Sequence, residues 1–228
     1  YIYSRTRESA EQLSERLRDV PYSTDISRVP TDGDLYIFAV KDSALLDLVS
    51  RMPSNRGLWV HTAGSMDMEV FAPYTARYGV FYPMQTFSKE RETDFDDIPI
   101  FVETNHTDDT ERLQKLAGRL STKVYEATSE QRKYLHLAAV FACNFSNHLY
   151  ALCDRILSEH GLPFETMLPL IRETAAKVAD MPPAQAQTGP AIRYDKNVID
   201  KQMALLSDPT MRQIYDLMSR SIHETNKH

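Results

Sequence analysis

The sequence predicts a chain in two parts, an α/β domain over residues 1–128 and an all-helical domain over residues 129–228. Up to Thr128, short apolar runs alternate with segments of helical spacing, which is typical of a doubly wound parallel sheet with helices on both faces. After Thr128 only helical patterns follow. The 228 residues, 42% of them hydrophobic and 25% charged, are enough to bury a sizeable core.

The elements of the first part follow from the spacing of apolar residues. Strands are predicted at residues 1–3, 35–40, 58–60, 80–82, 98–102 and 124–125, and helices at residues 6–17, 42–52, 66–77 and 108–120. The run 35–40 is continuously apolar, as expected of a strand covered on both faces. Pro99 restricts its run to a sheet edge or a strand start. Asp108 and Glu111 have the spacing of a capping box.

The first helix of the second part is unusual. Thr128 and Gln131 predict a capping box at its start. Residues 135–152 are apolar almost all round, so we expect this helix to be buried. At about 100° per residue, His136, Cys143 and Asn147 share one face. Buried polar side chains need partners, either on another helix or on a ligand. Further helices are predicted at 163–178, at 198–206 and after Asp208, with a loop at 181–190.

Composition excludes several classes of function. The net charge of -6, with no run of more than two Lys or Arg, argues against nucleic-acid binding. No apolar stretch is long enough to cross a membrane. Cys143 and Cys153 lie on one helix about 15 Å apart, so they cannot pair with each other. The spacing of Cys and His suits no metal site. We therefore expect a cytoplasmic globular protein without a metal.

Four predicted strands end in small or polar residues, at the edge where open parallel sheets bind ligands. These ends are Ser4-Arg5-Thr6, Val40-Lys41-Asp42, His61-Thr62-Ala63-Gly64 and Met84-Gln85-Thr86. Each is compatible with an ordinary turn, but together they indicate a nucleotide crevice. Arg5, flanked by two hydroxyls and without an acidic neighbour, predicts recognition of the 2′-phosphate of NADP rather than the free ribose of NAD. The alternative is a solvated arginine in a turn.

A dinucleotide fold also needs a first strand and a glycine-rich turn that holds the pyrophosphate. The seven glycines nowhere form GxGxxG, and the chain begins at what looks like the second strand of such a fold. We expect either that roughly 25–30 residues, one βα unit, precede this sequence or that the nucleotide-binding module is degenerate.

Several segments resemble one family of bacterial proteins. They are YSRT, LYIFAVKD, WVHTAGS, YPMQTFS, HLAAVFACNFSNHLY, ETAAKV and QTGPAIRYD. The family combines a Rossmann-like domain with a C-terminal helical domain of unknown function, and its members are often described as NADP- or deazaflavin-dependent oxidoreductases. Its clan includes pyrroline-5-carboxylate reductase, ketopantoate reductase, and the 3-hydroxyisobutyrate and 6-phosphogluconate dehydrogenases. The resemblance implies an NADP-binding domain, with NAD or no cofactor as alternatives, and a helical domain that binds a small-molecule substrate and forms a homodimer.

The resemblance also suggests roles for individual residues. Ser4, Arg5 and Thr6 match the clan's 2′-phosphate turn, while the ends at 40–42 and 61–64 match loops beside the nicotinamide ribose. The clan's hydroxyacid dehydrogenases place a catalytic lysine four residues before an asparagine. Aligning that asparagine with Asn147 puts Cys143 at the lysine position, which argues against simple hydroxyacid oxidation.

We therefore predict His136 as the proton donor or acceptor, because imidazole titrates nearest neutrality. Asn147 and Lys177 are further catalytic candidates, although Lys177 and Glu173 have the spacing of a surface ion pair. The residues expected to contact substrate are Gln85, Asn144, His148, Gln187, Thr188, Gly189 and Arg193. For 187–193 a plain turn between helices is the alternative.

The predicted function is hydride transfer between NADP and a small carbonyl, imine or hydroxy compound at the cleft between the domains. The alternative is a non-catalytic nucleotide-binding or scaffold protein that keeps a dehydrogenase-like fold.

Overall fold

The apolar runs of the first part form a two-stranded and a five-stranded sheet within residues 1–88 and 91–226, the ranges described by this computed structural model. β1 (Ile2–Tyr3) pairs in parallel with β2 (Tyr22–Ser23), a strand that the sequence analysis missed. The larger sheet has the order β3 (Leu35–Phe38), β4 (Leu58–His61), β5 (Tyr78–Pro83), β6 (Ile100–Thr104) and β7 (Val124–Glu126).

The directions of these strands confirm the α/β fold class and add one departure from it. β3, β4 and β5 run parallel to one another, and β6 runs parallel to β7. β5 and β6 are antiparallel, although we expected parallel strands throughout. Pro99 lies just before β6, at the strand start that its missing N–H allows.

The core lies on both faces of β4, all four residues of which are buried. Trp59 packs with Phe38 and Phe71 on one face, while Leu58 and Val60 pack on the other, following the period of two in a strand. β3 is not covered on both faces as predicted, since Ile37 is 51% exposed. β3 is an edge strand, and a cavity of about 410 Å³ lined mainly by apolar residues lies between it and β1.

The first four helices are α1 (Arg7–Arg16), α2 (Asp42–Ser50), α3 (Thr107–Ala117) and α4 (Ser129–Ala139). The predicted capping box at α4 is confirmed, because Thr128 and Gln131 exchange hydrogen bonds of 2.9 and 3.2 Å. The capping box predicted at Asp108 is wrong, since α3 begins one residue earlier, at Thr107. The helix predicted at 66–77 is one 3₁₀ turn, Met68–Phe71, because Pro73 cannot continue a helix.

The predicted long core helix differs from expectation in two ways. α4 is followed by a π-helical turn, Val140–Phe145, and then by α5 (Ser146–Glu159). The common face predicted for His136, Cys143 and Asn147 assumed a continuous α-helix, and the π turn interrupts that spacing. The helix is also not buried in the single chain. Leu137 is 52% exposed, and the described residues of the π turn and α5 include no buried one.

The remaining helices are α6 (Leu168–Asp180), α7 (Pro183–Ala186), α8 (Lys196–Leu205) and α9 (Pro209–Thr225), with a 3₁₀ turn at Phe164–Met167. Asp208 caps α9 as predicted, its carboxylate accepting from the N–H groups of Thr210 and Met211 at 2.7 and 3.2 Å. Among the described residues, every helix is too short or too polar to span a bilayer.

The chain divides into two compact units, Tyr1–Asn144 and Phe145–His228. The division falls after Asn144 and not at Thr128, because α4 is bonded to the sheet through Ser129 and Arg132. The assignment of residues 1–128 to cofactor binding and 129–228 to substrate binding stays a prediction.

Candidate cofactor and substrate site

The turns that follow β3 and β4 lie together at the carboxyl ends of these parallel strands. The Thr62 N–H donates to the carbonyl oxygen of Phe38 at 3.4 Å, and the Ser65 hydroxyl donates to the Asp42 carboxylate at 2.5 Å. Lys41 is the N-cap of α2 and Asp42 is its first residue. The structure thus brings together two of the segments predicted to bind the cofactor, residues 40–42 and 61–64.

The third predicted segment follows β1. The Ser4 N–H donates to Ser23, and Thr6 is the N-cap of α1, with its hydroxyl donating to Ser9 at 2.9 Å. Arg5 is exposed, and its guanidinium makes no hydrogen bond or ion pair within the described ranges. Arg7, two residues later, is instead engaged with Glu11 at 2.6 Å. Arg5 is therefore available to an anionic ligand.

His61 is a buried residue that shapes the β4 turn, which we define as residues 61–66. Its Nδ1 accepts from the Ala63 N–H at 3.2 Å, and its Nε2 lies 3.4 Å from the Asp67 carbonyl oxygen. Burial, assisted by the nearby charge of Arg132, lowers the pKa of His61 to about 4. The imidazole is therefore neutral at physiological pH, with Nδ1 as the acceptor and Nε2 as the donor.

Arg132 organises this turn, and the sequence analysis missed it. Its guanidinium is fully buried and donates to the carbonyl oxygens of Ala63 and Met66 at 3.1 and 3.0 Å. It also donates to Glu103 at 2.9 Å and to the Ser129 hydroxyl at 2.7 Å. The available signal was its position four residues before His136, which places both side chains on one face of α4.

His136 lies against the β4 turn at Gly64. A Cβ atom built on Gly64 would lie 2.9 Å from His136 Nδ1 and 2.8 Å from the Tyr82 hydroxyl oxygen. Only a glycine allows both groups to approach the backbone this closely. The structure therefore joins the predicted acid/base residue, a predicted cofactor segment and a tyrosine that the sequence analysis did not select.

Two predicted substrate residues of the first unit have no comparable setting. Gln85 follows β5, and its side-chain oxygen accepts from the neighbouring Thr86 N–H at 2.8 Å. Asn144 is exposed on the π turn. Their roles stay predictions.

The other predicted catalytic residues belong to the second unit. Asn147 and His148 are exposed on the first turn of α5. Lys177 lies 3.8 Å from Glu173, which is the surface ion pair that the alternative interpretation expects. A catalytic role for these three residues stays a prediction.

The loop at 187–193 has backbone geometry that restricts its sequence. Gly189 has φ +104°, a conformation that favours glycine, and the Gln187 amide donates to the Thr188 carbonyl oxygen at 3.0 Å. Arg193 is exposed, and Tyr194 has φ +49° with its ring stacked on His223 at 5.0 Å. The positive φ of Tyr194, which the sequence analysis did not predict, lies at the end of this loop, just before α8.

These observations define a class of protein, one with a Rossmann-like α/β domain and a helical C-terminal region. Within the described ranges, no group of three His, Cys, Asp or Glu side chains could hold a metal ion. Residues 98–222 match the family described as a domain of unknown function, DUF2520. The chain belongs to this family.

Comparison with solved structures confirms the predicted resemblance. A protein from Bacteroides fragilis, provisionally named an NADP oxidoreductase, is 52% identical, with a TM-score of 0.89 over 97% of this chain and 87% of its own. A reductive aminase from Aspergillus terreus, solved with NADPH and ethyl levulinate, shares the fold at 15% identity and a TM-score of 0.74, covering 98% of this chain and 85% of its own.

An imine reductase from Myxococcus stipitatus, solved with NADP⁺, shares the fold at 16% identity and a TM-score of 0.68, covering 99% of this chain and 85% of its own. The curated proteins include no match to this chain.

Proposed function

We propose that this protein is an NADP-dependent oxidoreductase that transfers a hydride between nicotinamide and a small carbonyl, imine or hydroxy compound. The observation that carries the proposal is the contact of His136 with Gly64, which puts a proton-transfer group beside a predicted cofactor segment. The names of the relatives support it. The Bacteroides fragilis protein is named for NADP, the Aspergillus terreus reductive aminase was solved with NADPH, and the Myxococcus stipitatus imine reductase was solved with NADP⁺.

The residues present fit such a cofactor. Arg5 offers an exposed guanidinium that pairs with no residue of the described ranges and is flanked in the sequence by Ser4 and Thr6, which suits a 2′-phosphate. The adjoining segments 40–42 and 61–64 would hold the nicotinamide ribose. NADPH, when bound, supplies the hydride, and the chain supplies orientation and the proton.

His136 would protonate the substrate oxygen or nitrogen as that atom receives the electron pair of the reduced double bond. Asn147 and Lys177 remain further catalytic candidates. The proposed substrate contacts are Gln85, Asn144, His148, Gln187, Thr188, Gly189 and Arg193. We also retain the proposed division of labour, with NADP bound by residues 1–128 and substrate and dimer contacts made by residues 129–228.

The cofactor proposal is tested by titrating the complete protein with NADPH and with NADH, followed by nicotinamide fluorescence. We expect NADPH to bind more tightly, and Arg5→Ala to lose about 10-fold or more of this preference, since a hydrogen bond to a charged group contributes about 1.5–3 kcal/mol. Arg7→Ala is the matched control, because Arg7 is already paired with Glu11. Equal binding of the two cofactors, or an Arg5→Ala variant that binds NADPH normally, would refute the proposal.

The catalytic part is tested with His136→Gln and two probes, the cyclic imine 2-methyl-1-pyrroline and the ketone ethyl levulinate. We expect the variant to keep NADPH affinity and to lose about 10²-fold or more in kcat. Tight NADPH binding without turnover of either probe by the wild-type protein would favour the non-catalytic nucleotide-binding alternative.

We further propose that the protein is a homodimer through its helical part. Tyr134 and Leu137, three residues apart and so on one face of α4, are 67% and 52% exposed, and exposed apolar side chains that cluster mark interaction surfaces. Leu137→Glu should convert a dimer into a monomer in light-scattering measurements. Leu205→Glu is the control, because it makes the same change at an exposed leucine of α8, outside the α4 face, and should leave the dimer intact.

A further inference from the structure

Tyr82 lies near the carboxyl end of β5, on the side of the sheet where open parallel sheets bind ligands. It is the penultimate residue of β5, whose parallel neighbour β4 ends at His61. Its ring is buried and packs beside Phe101, with 6.3 Å between ring centroids. The main chain and the packing thus fix the direction of its hydroxyl group.

The Tyr82 hydroxyl has no hydrogen-bond partner among the described residues, unlike the hydroxyls of Tyr78 and Tyr36 in the same sheet. The hydroxyl of Tyr78, on the same strand and the same face, donates to Glu69 at 2.8 Å. The hydroxyl of Tyr36 donates to the Pro30 carbonyl oxygen at 2.8 Å. Among the buried side chains of the described ranges, Arg132 Nε is the one polar atom that both lacks a partner and is shielded from solvent. The Tyr82 oxygen also lacks a partner but is not such an atom, so it is accessible to solvent. A buried tyrosine usually places its hydroxyl on a partner.

The Tyr82 hydroxyl and the His136 imidazole border the same space. Both the hydroxyl oxygen and Nδ1 lie within 3 Å of the position that a Cβ atom on Gly64 would occupy. The hydroxyl oxygen and Nδ1 are therefore less than about 6 Å apart, so that one ligand atom could contact the hydroxyl donor and the imidazole together. The structure offers no other reason for a glycine here, since Gly64 does not have a positive φ.

We propose that Tyr82 is a catalytic residue that donates a hydrogen bond to the substrate oxygen or nitrogen protonated by His136. This inference rests on the proposed function and names the atom of the substrate that the site recognises. The carbon of the C=O or C=N bond gains the hydride, the heteroatom gains the electron pair and a proton from His136, and Tyr82 keeps its own proton. A donor aimed at the atom where charge develops lowers the barrier without having to reorient.

The charges around Tyr82 suit a donor. Burial raises the pKa of the Tyr82 hydroxyl, and the nearby Arg132 guanidinium only partly offsets this. The hydroxyl is therefore protonated near neutral pH. Arg132 is itself paired with Glu103, so the positive charge near the Tyr82 hydroxyl is compensated.

The test compares Tyr82→Phe with Tyr78→Phe in the complete protein. Each variant removes one hydroxyl from the same face of β5, but the Tyr78 hydroxyl is bonded to Glu69 and lies four residues away along the strand. With NADPH and 2-methyl-1-pyrroline or ethyl levulinate, we expect Tyr82→Phe to lower kcat roughly 10²-fold, the effect of removing one preorganised donor. NADPH affinity and melting temperature should stay near wild type, and Tyr78→Phe should keep its kcat.

Each other result is decisive. If the wild type turns over a probe and Tyr82→Phe does so equally well, the role of Tyr82 is wrong while the proposed function stands. If Tyr82→Phe also loses NADPH affinity or thermal stability, its role is structural and the inference fails. If the wild type reduces neither probe, the proposed function fails and takes this inference with it.

Discussion

Replacing Arg132 by methionine should destabilise the first unit by about 3–5 kcal/mol, the usual effect of removing one partner of a buried ion pair. The Arg132 side chain is fully buried and that of Glu103 is 14% exposed, so the carboxylate left behind would remain largely out of water. Ser129 would still donate to this carboxylate through its N–H and hydroxyl, which keeps the loss near the lower end of that range. Methionine fills a similar volume, so a cavity adds little.

The assay is urea unfolding followed by the fluorescence of Trp59. This is the single tryptophan of the chain; it is 1% exposed and lies on β4, so it reports on the first unit. Lys133→Met is the matched control, because the adjacent Lys133 is 53% exposed and pairs loosely with Asp67 at 3.7 Å. The control should change stability by less than about 0.5 kcal/mol. A loss below about 1 kcal/mol for Arg132→Met would refute the buried-pair reasoning.

Three further outcomes follow from the same structure. The pKa of His61 is lowered to about 4 by burial, so the unfolded chain protonates first; stability should fall as pH drops from about 6.5 to 4, by up to about 3 kcal/mol, and His61→Gln should flatten this dependence in urea unfolding. Gly64→Ala should displace Tyr82 and His136, costing about 1–3 kcal/mol in the same assay, and an unshifted crystal structure would contradict it. Asp208→Ala should lower the melting temperature of the protein, followed by circular dichroism, because α9 loses its N-cap, while Asp208→Asn should keep most of the wild-type value.

Local signals in the sequence were sufficient for most of the elements. The run at β4 is a buried strand because its apolar residues face both cores, and the box at Thr128 needs only residues three apart. β2 was missed because a two-residue strand after Pro21 carries too little pattern. The direction of β6 was missed because an apolar run reads the same either way. The sequence of 84–99 lacks helical spacing, which was the available sign that β6 pairs antiparallel to β5, since a parallel neighbour needs a crossover connection that is usually helical.

The candidate site was only partly predictable, for a physical reason. Strand ends can be read from the sequence, so Arg5, Asp42 and Gly64 were found as members of separate segments. Their neighbours depend on long-range packing. Arg132 reaches the β4 turn from a helix more than sixty residues later, and Tyr82 looks like one more aromatic residue in a strand. Such residues become candidates only when the structure shows which polar groups meet.

The pattern of α4 links the candidate site to the proposed dimer. On a surface helix the apolar side faces the protein and the polar side faces water. On α4 this order is reversed, since the buried Arg132 faces the β4 turn while Tyr134 and Leu137 are exposed. His136 is exposed as well, but its Nδ1 approaches the turn at Gly64. The stretch 135–152 is apolar almost all round, yet within a single chain much of its surface is exposed to solvent. If a second copy covers this surface, Leu137→Glu should yield a monomer whose Trp59 unfolding is little changed, because the Arg132 contacts lie on the opposite side of the helix. A monomeric wild type would break this link and leave the exposed face unexplained.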